Sequence, residues 1–233
     1  MSVRGSGEPA LTLILGERDY LRRWSALHGG TPAKGLVGWW LRLSYRLGRP
    51  LARLGVRANA VTVAGLLVSV AVLAPAAAGG RWVLLAVPVV ALAGLLDNLD
   101  GAVAVITGRA TKSGYVLDSV CDRLSDAAYA AALWVVGAPA WVAVSAAGLA
   151  WLQEYLRARA GAAGVSEVGV VSVSERPTRV IVTVMFLLGA GLYPGSHEQW
   201  ATVGAATWAA VGVVGFVQTA VVLGRRLRAA GPA

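Results

Sequence analysis

Residues 97–122 read DNLDGAVAVITGRATKSGYVLDSVCD and set Asp97, Asp100, Asp118 and Asp122 between hydrophobic stretches of helix length. Ionised side chains at membrane depth are costly and are kept where they have a partner or a task. Asp97 and Asp100 are three residues apart, so they share one face of a helix. Asp118 and Asp122 are four apart and share one face of the next. The link between them is short enough to make the two helices antiparallel neighbours. At a rise of ~1.5 Å per residue, Asp97 lies about 15 Å before Thr107, and Asp118 and Asp122 lie about 6 and 12 Å beyond Gly114. The four carboxylates are therefore expected to converge at comparable depth.

Composition points to the same setting. The 233 residues are 57% hydrophobic and only 14% charged, with long uncharged stretches between short basic segments. That is the pattern of a polytopic helical membrane protein. The net charge of +9 falls mostly in juxtamembrane segments, so it reads as sidedness and headgroup attraction. Without a basic soluble domain, nucleic acid is not an expected partner. A single cysteine, Cys121, excludes an intrachain disulfide and a cysteine-rich metal site. The first 30 residues lack the apolar core of a signal peptide, so no cleaved targeting sequence is expected.

The expected fold is all-α: a polytopic membrane protein with six transmembrane helices and an N-terminal interfacial amphipathic helix. The spans are drawn at about 60–79, 82–106, 114–137, 139–156, 178–194 and 200–223. Residues 1–34 read as a cytosolic leader, 35–58 as the amphipathic helix and its linker, 59–225 as the six-helix catalytic domain and 226–233 as a cytosolic tail. In 35–54, Arg42, Arg46, Arg49 and Arg53 recur at helical spacing opposite Leu and Trp, with a bend expected near Pro50. Arginine and lysine cluster before the first span, at 107–113, at 157–177 and after the last, with Arg81 the exception. The positive-inside rule places both termini and the opening of the acidic site in the cytoplasm of a cell-membrane protein.

Four nearby carboxylates repel one another in a low-dielectric setting, and divalent cations remove that penalty. Mg²⁺ prefers oxygen ligands and commonly retains water and phosphate contacts. Two ions about 3.5–4 Å apart can share a carboxylate and clamp a pyrophosphate. Two other readings of the residues stay open: an ion-pair network with Arg109, Lys112 or Arg123, and a proton or ion pathway. Asp126 continues the Asp118–Asp122 face one turn deeper and reads as a protonated or hydrogen-bonded packing group. Gly101 and Gly114 leave room for close helix approach or for a bulky ligand.

The pattern Asp97-x₂-Asp100-Gly101-x₂-Ala104-Val105-x₈-Gly114-x₃-Asp118-x₃-Asp122 resembles the signature of the CDP-alcohol phosphatidyltransferase family, over roughly residues 35–225. That signature has an arginine after its alanine, where this chain has Val105. The resemblance implies a Mg²⁺-dependent exchange, with one or two ions and Mn²⁺ as a substitute. An alcohol attacks the phosphoryl group of CDP-diacylglycerol and CMP leaves. It implies Asp97, Asp100 and Asp118 as metal ligands, and Asp122 as a further ligand and the base that accepts the hydroxyl proton. Val105 supplies none of the five donors or the fixed charge of a guanidinium. It implies altered phosphate contacts, compensation by Arg109 or Lys112, or an inactive relative.

Arg57-Ala-Asn59-Ala-Val61-Thr62 resembles the family's Asn-x-x-Thr segment, which implies Asn59 and Thr62, with Asp97, Gly101 and Gly114, as nucleotide contacts. Helix capping by Asn59 and an intrahelical bond from Thr62 are the competing roles. Tyr155-Leu-Arg157-Ala-Arg159 and Glu175-Arg176-Pro177-x-Arg179 resemble two more polar family segments. They imply Arg157, Arg176 and Arg179, with Arg109 and Lys112, around a phosphorylated acceptor or headgroup. Positive-inside anchoring is the competing role for these arginines. Inositol phosphate or glycerol phosphate suits such cations as the polar alcohol. Membrane lipids are expected partners, and small residues in the spans are compatible with a homodimer. Transfer of a phosphoalcohol from a CDP-alcohol to a lipid, and a non-enzymatic lipid- or cation-binding protein, remain as alternatives.

Overall fold

In the computed structural model, residues 14–27, 29–165 and 171–230 are described. The start of the expected leader, the centre of the 157–177 loop and the last three residues of the expected tail lie outside them. The described chain is all-α: α1 Glu17–Leu27, α2 Gly35–Arg53, α3 Ala58–Ala71, α4 Leu73–Ala78, α5 Ala86–Ile106, α6 Lys112–Val136, α7 Ala140–Ala162, α8 Arg176–Leu192 and α9 His197–Ala229. Short 3₁₀ turns, Gly80–Leu85 and Pro194–Ser196, lead into α5 and α9.

Three stretches are long and apolar enough to cross a membrane: Ala58–Ala78 with 21 residues, Gly80–Ile106 with 27 and Pro194–Ala229 with 36. They make the chain an integral membrane protein. The expectation of six such spans is therefore corrected to three among the described residues. The other three helices fail for identifiable reasons. α6 carries Asp118, Asp122, Arg123 and Asp126 along its length, and α7 ends in the polar run from Gln153 to Arg159. α8 has only 17 residues and begins on two arginines. In these helices the polar face turns into the protein, where charges meet partners.

A main core cluster joins α4, α5, α6, α7, α8 and α9 through Ala76, Val90, Tyr129, Leu133, Ala146, Leu187 and Trp208. One polar bond crosses it: the hydroxyls of Ser69 and Tyr129 lie 2.9 Å apart, both buried. A second cluster lies where α1 and α2 cover the end of α5, and it contains Tyr20, Leu41, Tyr45, Ala102, Val105 and Ile106. The Tyr20 and Tyr45 rings meet at a tilt of 38°, with ring centres 5.4 Å apart. The Leu15 N–H donates to the Ile106 carbonyl at 2.9 Å and satisfies one of the orphan acceptors at that helix end. On the outer face of α2, Arg42, Arg46, Arg49 and Arg53 are exposed, and the helix continues through Pro50.

The α5–α6 turn fixes the site. Gly108, at φ +63°, takes the left-handed conformation that lets Arg109 N–H return to the Ala104 carbonyl at 3.0 Å. Thr111 then caps α6, its hydroxyl accepting from Gly114 N–H at 3.0 Å.

Candidate active site at the α5–α6 junction

With α5 and α6 antiparallel across this turn, the carboxylate oxygens of Asp97, Asp100 and Asp118 all come within 4.8 Å of one another. At metal–oxygen bonds of ~2.1 Å, trans ligands of an octahedral ion stand about 4.2 Å apart. Small side-chain adjustments therefore suffice. Three hard oxygen donors on two helices suit a divalent cation. Asp100 is the innermost, 6% exposed, and it accepts a 2.6 Å hydrogen bond from the Thr62 hydroxyl on α3. The other Asp100 oxygen accepts from the Gly101 N–H, so both carboxylate oxygens are held in place.

Asp122 stands beside this trio. It pairs with Arg176 at the start of α8, whose guanidinium also pairs with Asp97, and Arg123 is 3.7 Å away. One arginine thus bridges the two acidic helices at the edge of the cluster.

Two connected cavities open on the α3 side. The inner one, about 180 Å³, is lined by Asn59, Thr62, Asp100, Gly101, Val105, Arg109, Thr111, Gly114 and Asp118. The outer one, about 230 Å³, shares Asn59, Arg109 and Thr111 with it and adds Arg57 and Thr107. A methyl group on Gly101 would meet no atom within 4 Å, so this glycine leaves open space in the cavity wall. Gly114 differs. A Cβ there would lie 3.0 Å from the Thr111 hydroxyl and 3.1 Å from Asn59 Oδ1, so it permits close approach of α6 to α3. Asn59, Thr62, Gly101, Gly114 and Arg109 therefore gather at one cavity. Lys112 is exposed at the start of α6 and is not among its lining residues.

On the opposite flank an apolar groove of about 390 Å³ runs between α2, α5 and α8. Trp40, Val90, Leu95, Val180 and Ile181 line it, and Asp97 and Arg176 form its polar end. The Trp40 indole N–H donates to Asn98 Oδ1 at 3.0 Å, holding α2 against α5 beside this groove.

Arg157 and Arg179 lie elsewhere. Arg157 pairs with Glu154 at 3.2 Å and with Glu175, which also accepts from Ser172 N–H at 2.8 Å. Burial pushes the Glu175 carboxyl up, but the bonds from Arg157 and Ser172 outweigh it and hold the group below the ordinary range. Arg179 is enclosed at 1% exposure, 3.3 Å from Asp126, and donates to the Ser174 carbonyl at 2.9 Å. The sequence reads Arg179 as a substrate contact and Asp126 as a protonated or hydrogen-bonded packing group, without naming the pair. The i,i+4 step from Asp122 to Asp126 and the i,i+3 step from Arg176 to Arg179 were the available signal that they pair. Sequence reasoning also passed over Thr111, which caps α6 and lines both cavities, and Trp40; the first lies at a readable helix start.

Residues 56–219 match the family described as CDP-alcohol phosphatidyltransferase. The chain is 34% identical over 162 residues to the archaetidylinositol phosphate synthase of Pyrococcus horikoshii, covering 67% of this chain and 85% of that protein. It is 36% identical over 159 residues to the phosphatidylinositol phosphate synthase of Mycolicibacterium smegmatis, covering 63% and 68%. It resembles the crystal structure of the Mycobacterium tuberculosis phosphatidylinositol phosphate synthase with CDP-DAG bound at a TM-score of 0.63 and 29% identity, covering 78% of this chain and 94% of that one. The same mycobacterial enzyme in complex with manganese and citrate gives a TM-score of 0.64 at 27% identity, covering 77% and 88%.

Proposed function

The chain belongs to the CDP-alcohol phosphatidyltransferase family, and from that premise we propose that it transfers the phosphatidyl group of CDP-diacylglycerol to a hydroxyl of inositol phosphate, releasing CMP. The observation that carries this reading is the position of the Asp97–Asp100–Asp118 cluster. It lies between a polar cavity on one side and an apolar groove on the other, as a donor with a nucleotide head and two acyl tails requires.

In this reading the inner cavity takes the cytidine and its phosphates, against Asn59, Thr62 and the open wall at Gly101. The groove beside Trp40 takes acyl chains from the membrane. Asp97, Asp100 and Asp118 would hold Mg²⁺, one ion or two, with Mn²⁺ as substitute; when bound, it neutralises the pyrophosphate and polarises the phosphorus–oxygen bond. Thr62 orients the Asp100 carboxylate. Asp122 accepts the proton of the acceptor hydroxyl as its oxygen bonds to the diacylglycerol-bearing phosphorus. The bond from that phosphorus to the bridging oxygen breaks, and CMP carries the oxygen away. Arg176, between Asp97 and Asp122, is the guanidinium best placed to meet the acceptor's phosphate, and Arg109 guards the nucleotide cavity. Val105 is turned into the α1–α2 cluster, so Arg109 supplies the charge that the signature arginine would have given.

Basic residues crowd the helix ends that carry the site, including Arg57, Arg109, Lys112, Arg159, Arg225, Arg226 and Arg228. The active-site opening therefore faces the cytoplasm in this proposal. A homodimer belongs to the same reading, on the family premise.

The test supplies purified full-length protein in lipid discs with CDP-diacylglycerol, Mg²⁺ and, separately, inositol phosphate, glycerol phosphate, inositol and serine. Mass spectrometry then follows the lipid product and CMP. Phosphatidylinositol phosphate with equimolar CMP is expected. Product from another acceptor only would overturn the acceptor assignment. Product only from a CDP-alcohol and a diacylglycerol would overturn the direction of transfer.

A further inference from the structure

α6 and α8 face each other through a two-rung ladder of charges. Asp122 and Asp126 are one turn apart on α6, and Arg176 and Arg179 one turn apart on α8. The upper rung, Asp122 with Arg176, borders the acidic cluster. The lower rung, Asp126 with Arg179, is sealed inside the bundle, the two residues 0% and 1% exposed. Asp126 also lies 3.5 Å from Arg123, which reaches Asp122 at 3.7 Å and Glu154 at 3.4 Å. Arg179 in turn donates to the Ser174 carbonyl, two residues before Arg176.

We infer that Asp126 is a positioning residue: through Arg179 it fixes the start of α8, and so sets where Arg176 meets the phosphate-bearing acceptor. This rests on the acceptor reading given above. The physical reason is that a buried guanidinium cannot stand without a counter-charge. With Asp126 neutral, Glu154 and Glu175 are the other carboxylates that act on Arg179. Turning to either of them rotates or shifts the first turn of α8, and Arg176 moves with it. None of this requires Asp126 to touch substrate or metal, which its enclosure forbids. The lower rung is enclosed, and the upper rung is the one that borders the acidic cluster.

The experiment uses full-length protein in lipid discs with four variants: Asp126→Asn, Arg176→Gln, the double variant of these two, and Asp126→Asn with Arg179→Gln. Asp126→Asn is expected to raise KM for inositol phosphate about tenfold while kcat stays within about threefold, because Arg176 binds the acceptor and does no chemistry. In the double variant with Arg176→Gln, KM is expected within about twofold of Arg176→Gln alone, since Asp126 acts through Arg176. Effects that multiply, or an unchanged KM in Asp126→Asn, would overturn the inference. Should Asp126→Asn not fold, the variant neutral at both 126 and 179 replaces it, since removing both buried charges spares the unpaired one. Its KM is expected at least about threefold above wild type, and a wild-type KM overturns the inference.

A wild-type protein that makes no lipid from inositol phosphate sinks the acceptor assignment alone. Mn²⁺ binding followed by electron paramagnetic resonance then decides the positioning role. Arg176 neutralises Asp97, so loosening it at position 126 or deleting it at position 176 is expected to tighten Mn²⁺ about threefold. A shift in Arg176→Gln with none in Asp126→Asn would overturn the inference.

Discussion

Thr62 on α3 donates its hydroxyl hydrogen to Asp100 on α5 across 2.6 Å, and both side chains are buried. Two segments 38 residues apart are thereby joined at the innermost carboxylate of the cluster. A hydrogen bond to a charged group is worth about 1.5–3 kcal/mol, and leaving its buried partner unsatisfied adds to the cost. Thr62→Val keeps the shape and removes the donor. Its kcat/KM for CDP-diacylglycerol is expected to fall about tenfold or more, with a higher Mg²⁺ requirement. Unchanged metal dependence in the folded variant would show that Thr62 acts on the nucleotide alone.

Removal of the cation should abolish transfer. Chelation is expected to take activity to background, and Mg²⁺ or Mn²⁺ to restore it. Asp100→Asn and Asp118→Asn should each lower kcat by about 10²-fold or more while the protein remains monodisperse, as for the loss of a preorganised electrostatic element. The carboxylates repel one another without a cation, so the neutral variants should also melt no lower than wild type when both are chelated. Thermal unfolding followed by tryptophan fluorescence checks the last point, and full turnover under chelation would refute metal dependence altogether.

The acidic cluster was legible in the sequence because its geometry is local. Spacings of three and four residues on two helices joined by a short turn leave few places for Asp97, Asp100 and Asp118 to go. Arg123 entered the ion-pair reading of the sequence, but the pairing of Arg176 with Asp122 was not legible. Arg176 is 54 residues away from it and 79 from Asp97, and no local pattern specifies which helix ends meet. The number of spans failed for another reason. A helix such as α6 has the length to cross a membrane, but its carboxylates and arginine need the interior of a bundle, and hydrophobic runs alone do not report that requirement. Val105 was read for the charge it lacks. Its place in a cluster with Tyr20 depends on α1 folding back over α5, a long-range contact.

The two signature glycines should separate in their effects. Gly114→Ala puts a methyl 3.0 Å from the Thr111 hydroxyl and 3.1 Å from Asn59, atoms that cap α6 and line the cavity. The strain is expected to cost about 1–3 kcal/mol, read as a lower melting temperature. Gly101→Ala meets nothing within 4 Å and lies inside α5, so it should leave stability unchanged or raise it by about 0.5–1 kcal/mol. Its methyl projects into the inner cavity, and KM for CDP-diacylglycerol is expected to rise about three- to tenfold. The reverse order of melting temperatures would refute the packing assignment of Gly114.

Val105 gives the sharpest contrast with the family signature. It is 7% exposed and packs among Tyr20, Leu41, Tyr45 and Ile106, although it reaches the edge of the inner cavity. Restoring the signature arginine by Val105→Arg asks that cluster to accept a longer, charged side chain. Overpacking of this kind costs about 1–3 kcal/mol, and partial burial of the guanidinium adds to it. The variant is expected to melt lower than wild type and to gain no activity, because Arg109 already lines the same cavity. Arg109→Gln should then weaken CDP-diacylglycerol binding about tenfold in the wild-type background and clearly less in Val105→Arg, where the new guanidinium can substitute. Equal losses in the two backgrounds, measured as the ratio of KM values for CDP-diacylglycerol, would refute the assignment of Arg109 as the replacing charge.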